Sequence, residues 1–236
     1  MNGSELGVGV AFRLGPLAIT DTVVTTWGLM LVFGTAAFIL SRRLKEEPAR
    51  WQIAMEGIVA TIETAIAEVL PQASRRVLPF VGTLWLFVVT ANLIGLVPGL
   101  HAPTGDLSAT AALAVLVLAS TQWFGIRAKG LRPYLRHYVE PTMILLPFHI
   151  ISEITRTLAL AIRLFGNMMS LEMAAMLVLL IAGFLVPVPL LMLHVVEALV
   201  QAYIFGMLAL IYIAGALEAP ESEATSPDTS SFKESP

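Results

Sequence analysis

Arg163 stands inside one of the most apolar stretches of this chain, LALAIRLFGNMMSLEMAAMLVLLIAGFLV at 158–186, which also holds Asn167 and Glu172. A guanidinium keeps its proton at any physiological pH, because its pKa exceeds about 12. It therefore cannot carry protons by titrating, as a histidine or a carboxylate can. A fixed positive charge can instead attract a carboxylate, lower that group's pKa and repel passing cations. An arginine deep in an apolar segment costs about 2.5–3.5 kcal/mol on insertion scales. A purely structural charge is therefore the weaker reading.

Other polar residues recur around it at helical spacing. Glu153, Arg156, Leu160, Arg163 and Asn167 follow one another every three or four residues and so share a helix face. Glu153 and Arg156, at i and i+3, are close enough to pair, whereas Arg163 has no carboxylate within one turn. In the last apolar stretch His194, Glu197 and Gln201 lie at i, i+3 and i+7, again on one face. With Glu172 they could form a polar track in which His and Glu exchange protons near neutral pH. Each alone has a plainer reading: a satisfied buried histidine, or a local ion pair near an interface. Asp106 and His101 fall in the turn-rich PGLHAPTGD, where solvation is the default, and the methionines of NMMSLEMAAM read as packing.

Composition sets what must position these groups. Of 236 residues 57% are apolar and only 13% charged, where a soluble domain carries about a quarter charged. Long apolar runs separated by short charged segments imply an all-α polytopic integral membrane protein. The chain has no cysteine, which excludes disulfides and thiolate chemistry, and no basic face that suggests nucleic acid. HVVEALVQ lacks the second histidine of a zinc hydrolase motif. The absence of inverted repeats disfavours a self-contained secondary transporter or channel, the alternative function class.

Spans are expected over Thr22–Leu40, Val77–Val97, Ser108–Ile126, 148–186 and Leu190–Leu217, about five in all. Thr22–Leu40 reads as a retained first helix rather than a signal peptide. Between the first two, Pro48–Leu70 repeats Trp51, Met55, Ile58, Ile62, Ile66 and Val69 at helical spacing. That pattern suits an amphipathic helix on the membrane surface or packed on other helices, ended by Pro71 and the Arg75–Arg76 pair. Residues 1–217 form the membrane-embedded domain, and 218–236 an acidic, low-complexity, disordered tail. The basic residues cluster after the first and third spans, which places the N-terminus outside and the C-terminus in the cytoplasm.

The fourth span is too long. As one helix, 148–186 extends roughly 58 Å at 1.5 Å per residue, against a hydrocarbon core of about 30 Å. The helix must therefore tilt steeply, bend or begin in the headgroup region, and two over-long elements joined across PVP suggest an inclined hairpin.

Three blocks, LWLFVVTANLIGLVPGLHAPTGD, LALAIRLFGNMMSLE and LLMLHVVEALVQAYIFGMLALIYI, closely resemble the a-subunit family of F-type rotary ATP synthases in order and spacing. The resemblance covers roughly 15–217. LGPLAITDTVVTTWGLM is similar to compact bacterial forms, including those of the alternate, N-type ATPase. The resemblance implies an inner-membrane stator subunit with two aqueous half-channels that couple H+ or Na+ movement to rotation of a c-subunit ring. It implies b-type peripheral-stalk subunits and lipids as partners, no cofactor and no metal, and no enzymatic activity in this chain alone. Arg163 matches the family's essential arginine, Asn167 the polar position beside it, and Glu172, His194 and Gln201 half-channel or supporting positions. The sequence departs from the pattern in two places. His149 stands where many relatives carry an acid or amide, with Glu153 one turn later, and Glu197 is an extra acid beside His194. His149, Glu153, Arg156 and Asp106 are therefore candidates for lining or supporting a half-channel.

Overall fold

The computed structural model describes residues 10–14, 17–43, 50–96, 102–134, 146–182 and 187–218. His101, the loop centred on Arg136 and the tail after Glu218 lie outside the described residues.

The architecture is a helical bundle with one small addition that the sequence reading did not include. Strands β1 (Val10–Leu14) and β2 (Leu17–Thr20) form an antiparallel hairpin with Phe12 opposite Ile19 and Leu14 opposite Leu17. Runs of four and five residues are too short for period-2 alternation to stand out from an apolar background.

Helix α1 (Asp21–Arg43) follows at once, with Asp21 in its first turn, where a negative charge suits the helix dipole. It packs sparsely, leaving Trp27, Met30, Leu31 and Phe38 exposed. Helix α2 (Arg50–Val69) is the expected amphipathic element, but only its second half uses its apolar stripe within this chain. Ile66 is fully buried, with Ile62 and Val69 beside it, whereas Trp51, Met55 and Ile58 are exposed.

Helix α3 (Ser74–Ile94) starts earlier than expected. Arg75 and Arg76 form its first turn rather than a loop, both exposed, and Pro71 alone marks the preceding break. A 3-10 turn, Pro103–Gly105, leads into α4 (Leu107–Lys129). Asp106 caps α4: its Oδ1 accepts from the Ser108 backbone N–H at 2.9 Å and from the Ser108 hydroxyl at 2.9 Å. Gly130 closes α4, with its N–H on the Ile126 carbonyl at 2.8 Å and a φ of +84° that disfavours any side chain. One further helical turn follows at 131–134.

Helices α5 (Leu146–Ala182) and α6 (Pro187–Glu218) are the long hairpin. At 37 and 32 residues they extend roughly 55 and 48 Å. Pro147, Pro187 and Pro189 all sit in first turns, where a missing N–H leaves no intrahelical bond unmade. Gly166 lies within α5 without interrupting it.

Helix α6 is the centre of the bundle, packed against α3, α4 and α5. Its inner ridge places Ala198, Ala202 and Gly206 four residues apart, with Phe205 and Ala209 buried beside them. Apolar burial gives little drive between helices in lipid, so close backbone approach through small residues supplies the contact. The Trp85 indole lies directly over Gly206, stacks on Tyr203 at 5.9 Å and donates its Nε1–H to the Tyr203 carbonyl at 3.3 Å.

Candidate functional site

Arg163 is exposed on the outer side of α5, together with Ala159, Ile162, Gly166 and Ser170. Leu160, Ala161, Leu164 and Met168 face inward and are buried. The face expected to run from Glu153 to Asn167 is therefore divided: Leu160 packs in the core while Arg163 points away from it. Among the described residues no carboxylate pairs with Arg163.

Asn167, one turn on, turns the other way. Its Nδ2 donates to Gln201 Oε1 at 2.6 Å, tying α5 to α6 at the level of the arginine. Gln201 is 4% exposed and His194 6%, so both lie on the inner side of α6, with half-buried Glu197 beside them. Glu172 is half-buried against the 3-10 turn, its Oε1 3.3 Å from where a Cβ on Gly105 would stand. Among the described residues no direct hydrogen bond joins Glu172, His194 and Glu197.

Two residues at this end escaped the sequence reading. Asn92 of α3 is fully buried and donates to the Ala198 carbonyl at 3.3 Å, one turn from His194. Thr104 of the 3-10 turn is buried next to Gly105. Asn92 Oδ1, Thr104 Oγ1 and His194 Nε2 are all buried with no hydrogen-bond partner among the described residues. A single amide inside the run LWLFVVTANLIGLV was the available signal for Asn92.

The opposite end of the bundle holds a cavity of about 290 Å³ between α4, α5 and α6. His149, Ser152, Glu153 and Arg156 of α5 line it with Lys129, Tyr134 and Tyr212. The Arg156 guanidinium lies 4.8 Å over the Tyr212 ring, a cation–π contact. Glu153 accepts a hydrogen bond from Gln122 Nε2, and Tyr134 donates to Gln122 Oε1 at 2.6 Å. Gln122 and Tyr134 were also missed, since their role depends on partners in other elements. Asp106 acts here as a helix cap and does not line this cavity.

Five of the described helices are long and apolar enough to cross a membrane. With charged and amide groups held at mid-helix, they define a polytopic helical membrane protein built to handle charge within the bilayer. Residues 23–214 match the family described as ATP synthase A chain, and the chain belongs to that family. It is 64% identical over 211 residues to "ATP synthase subunit a 2" of Pelobacter propionicus, covering 89% of this chain and 92% of that protein. It is 60% identical to "ATP synthase subunit a 1" of Hahella chejuensis, covering 92% and 93%. A third relative, "ATP synthase subunit a" of Legionella pneumophila, is 55% identical over 89% of this chain and 92% of its own length.

Proposed function

We propose that this chain is the stationary, ion-conducting subunit of the membrane sector of a bacterial F-type ATP synthase. In this reading Arg163 is the fixed charge past which the carboxylates of a c-subunit ring travel. The observation that carries it is the outward exposure of Arg163 on a membrane span, with no carboxylate of this chain paired to it among the described residues. A lone cation at that depth is costly, and a carboxylate arriving on a neighbouring subunit offsets the cost. The arginine favours the ionised form of the arriving group, so the group releases its proton or sodium ion before passing. Because the guanidinium never loses its charge, it also blocks ions from crossing directly between the two sides. Ala159, Gly166 and Ser170 give the same face of α5 small residues over which a partner helix can pass closely.

Ions need a route to and from that point. Glu172, His194, Asn92 and Thr104 line one half-channel in this reading, because three buried polar atoms with no partner among the described residues call for water. Half-buried Glu197 and the Asn167–Gln201 pair lie between this region and the arginine and support it. The cavity lined by His149, Glu153 and Arg156 marks the other half-channel. Glu153 precedes Arg163 by ten residues and Glu172 follows it by nine, about 15 Å and 14 Å along the helix axis. The two routes therefore end on either side of the arginine without joining.

The distribution of basic residues favours a cytoplasmic cavity end and an outer Asp106 end in the inner membrane. Partners in the complex are the c-ring, b-type stalk subunits and surrounding lipid. The decisive variant is Arg163→Ala in the assembled complex, expected to abolish ATP-driven ion pumping into inverted vesicles. Normal pumping with confirmed assembly overturns the assignment.

A further inference from the structure

We propose that Glu153 is the acid that exchanges protons with the cavity at the basic end of the bundle, and that Gln122 and Tyr134 are the residues that position it. This rests on the ion-conducting reading above and adds to it one acid and two positioning residues.

The argument begins with the direction of the hydrogen bonds. A phenol beside an amide carbonyl donates, and the Tyr134 hydroxyl lies 2.6 Å from Gln122 Oε1. With its carbonyl engaged, the Gln122 amide has one orientation left, with its NH2 toward α5. That NH2 donates to Glu153 Oε1. Flipping the amide would set its carbonyl against the ionised carboxylate, losing that bond and leaving the phenol to accept rather than donate. Tyr134 thus fixes Gln122, and Gln122 fixes one oxygen of Glu153.

Tyr134 is itself held in place. It is 5% exposed, and its ring lies so close to Gly125 that a Cβ there would come within 2.5 Å. Its backbone N–H bonds to the Gly130 carbonyl at 3.2 Å, across the bend that Gly130 makes at φ +84°. Two glycines and a tyrosine therefore aim a phenol at an amide inside an apolar segment, where an idle amide would be a net cost.

Both His149 and Glu153 line the cavity, at different depths. His149 is exposed at the mouth of α5, whereas Glu153 is half-buried one turn deeper, nearer Arg163. A carboxylate with one oxygen anchored presents a constant geometry to the water beside it. Each transfer makes or breaks a single O–H bond on Glu153, and the proton comes from, or goes to, a water in the cavity. No other group changes.

The test uses inverted vesicles carrying the whole complex, with passive proton flux read after removal of the soluble catalytic sector and measured against pH. Glu153→Gln is expected to lower flux about tenfold, and Gln122→Leu by a comparable factor, the scale of one hydrogen bond to a charged group. The double variant is expected to be no slower than Glu153→Gln alone, and Gln122→Leu is expected to displace the pH profile. Tyr134→Phe is expected to give a smaller loss of the same kind. Additive losses, full flux in Glu153→Gln, or a Gln122→Leu profile that matches wild type once corrected for assembly would each overturn the proposal. So would flux carried by Na+ with no dependence on pH. The arms are separable: Arg163→Ala measured for ATP-driven pumping in vesicles that keep the catalytic sector tests the wider reading, and only normal pumping there brings both down.

Discussion

Arg163 and Asn167 are one turn apart on α5, yet one faces out of the bundle and the other reaches across it. The Asn167–Gln201 bond makes that division testable. Gln201 is almost fully buried, so removing its partner leaves a desolvated amide, at a cost of about 1–3 kcal/mol. Asn167→Leu and Gln201→Leu are each expected to lower the thermal stability of the purified complex. The double variant is expected to lose less than the sum of the two, because neither amide is then left alone. Strict additivity in thermal-unfolding measurements would mean that the two side chains do not depend on each other. At this scale the sequence revealed residues that are anomalous where they stand: Arg163, Glu172, His194 and Gln201 are polar in apolar runs whatever surrounds them. It could not reveal Gln122, Tyr134 or Thr104, whose meaning comes from atoms on other elements. Nor could it give the direction of Arg163 relative to Leu160, because spacing fixes a face but not which neighbour covers it.

Two glycines on the hairpin distinguish internal packing from an outer working surface at the scale of the element. Gly206 lies under the Trp85 indole, where any Cβ would overlap the ring. Gly206→Leu must therefore push α3 and α6 apart, and overpacking of that kind costs about 1–3 kcal/mol or more. The expected result is a shortened half-life in detergent and less assembled complex. A Cβ on Gly166, by contrast, meets nothing within 4 Å among the described residues. Gly166→Leu is expected to leave the stability of the isolated chain unchanged while slowing ATP-driven pumping, because the added bulk meets only a partner passing over α5. Unchanged pumping would argue that no subunit approaches there. Helix length and the long hairpin were legible in the sequence because roughly 55 Å of unbroken apolar pattern has few alternatives. Less legible is where a proline falls, because composition does not show whether it stands in a first turn, where it is harmless, or in mid-helix.

For the molecule as a whole, charge distribution and topology must agree. Arg75 and Arg76 open α3, Arg127 and Lys129 close α4, and Lys129 lines the same cavity as Glu153. The basic ends of the bundle therefore coincide with one proposed half-channel, and the Asp106 cap with the other end. The natural absence of cysteine makes orientation directly measurable, since a single introduced thiol is the only one present. Arg132 and Leu107 are both exposed and stand at opposite ends of α4, close to its two termini. Arg132→Cys is expected to react with a membrane-impermeant maleimide in inverted vesicles and not in intact spheroplasts, and Leu107→Cys the reverse. The opposite pattern would turn the protein over in the membrane, exchanging the inner and outer half-channels while leaving the role of Arg163 intact. Labelling of both sites from one side would be more damaging, because α4 would not cross the bilayer. In that case Glu153 and Glu172 could not serve opposite faces of the membrane.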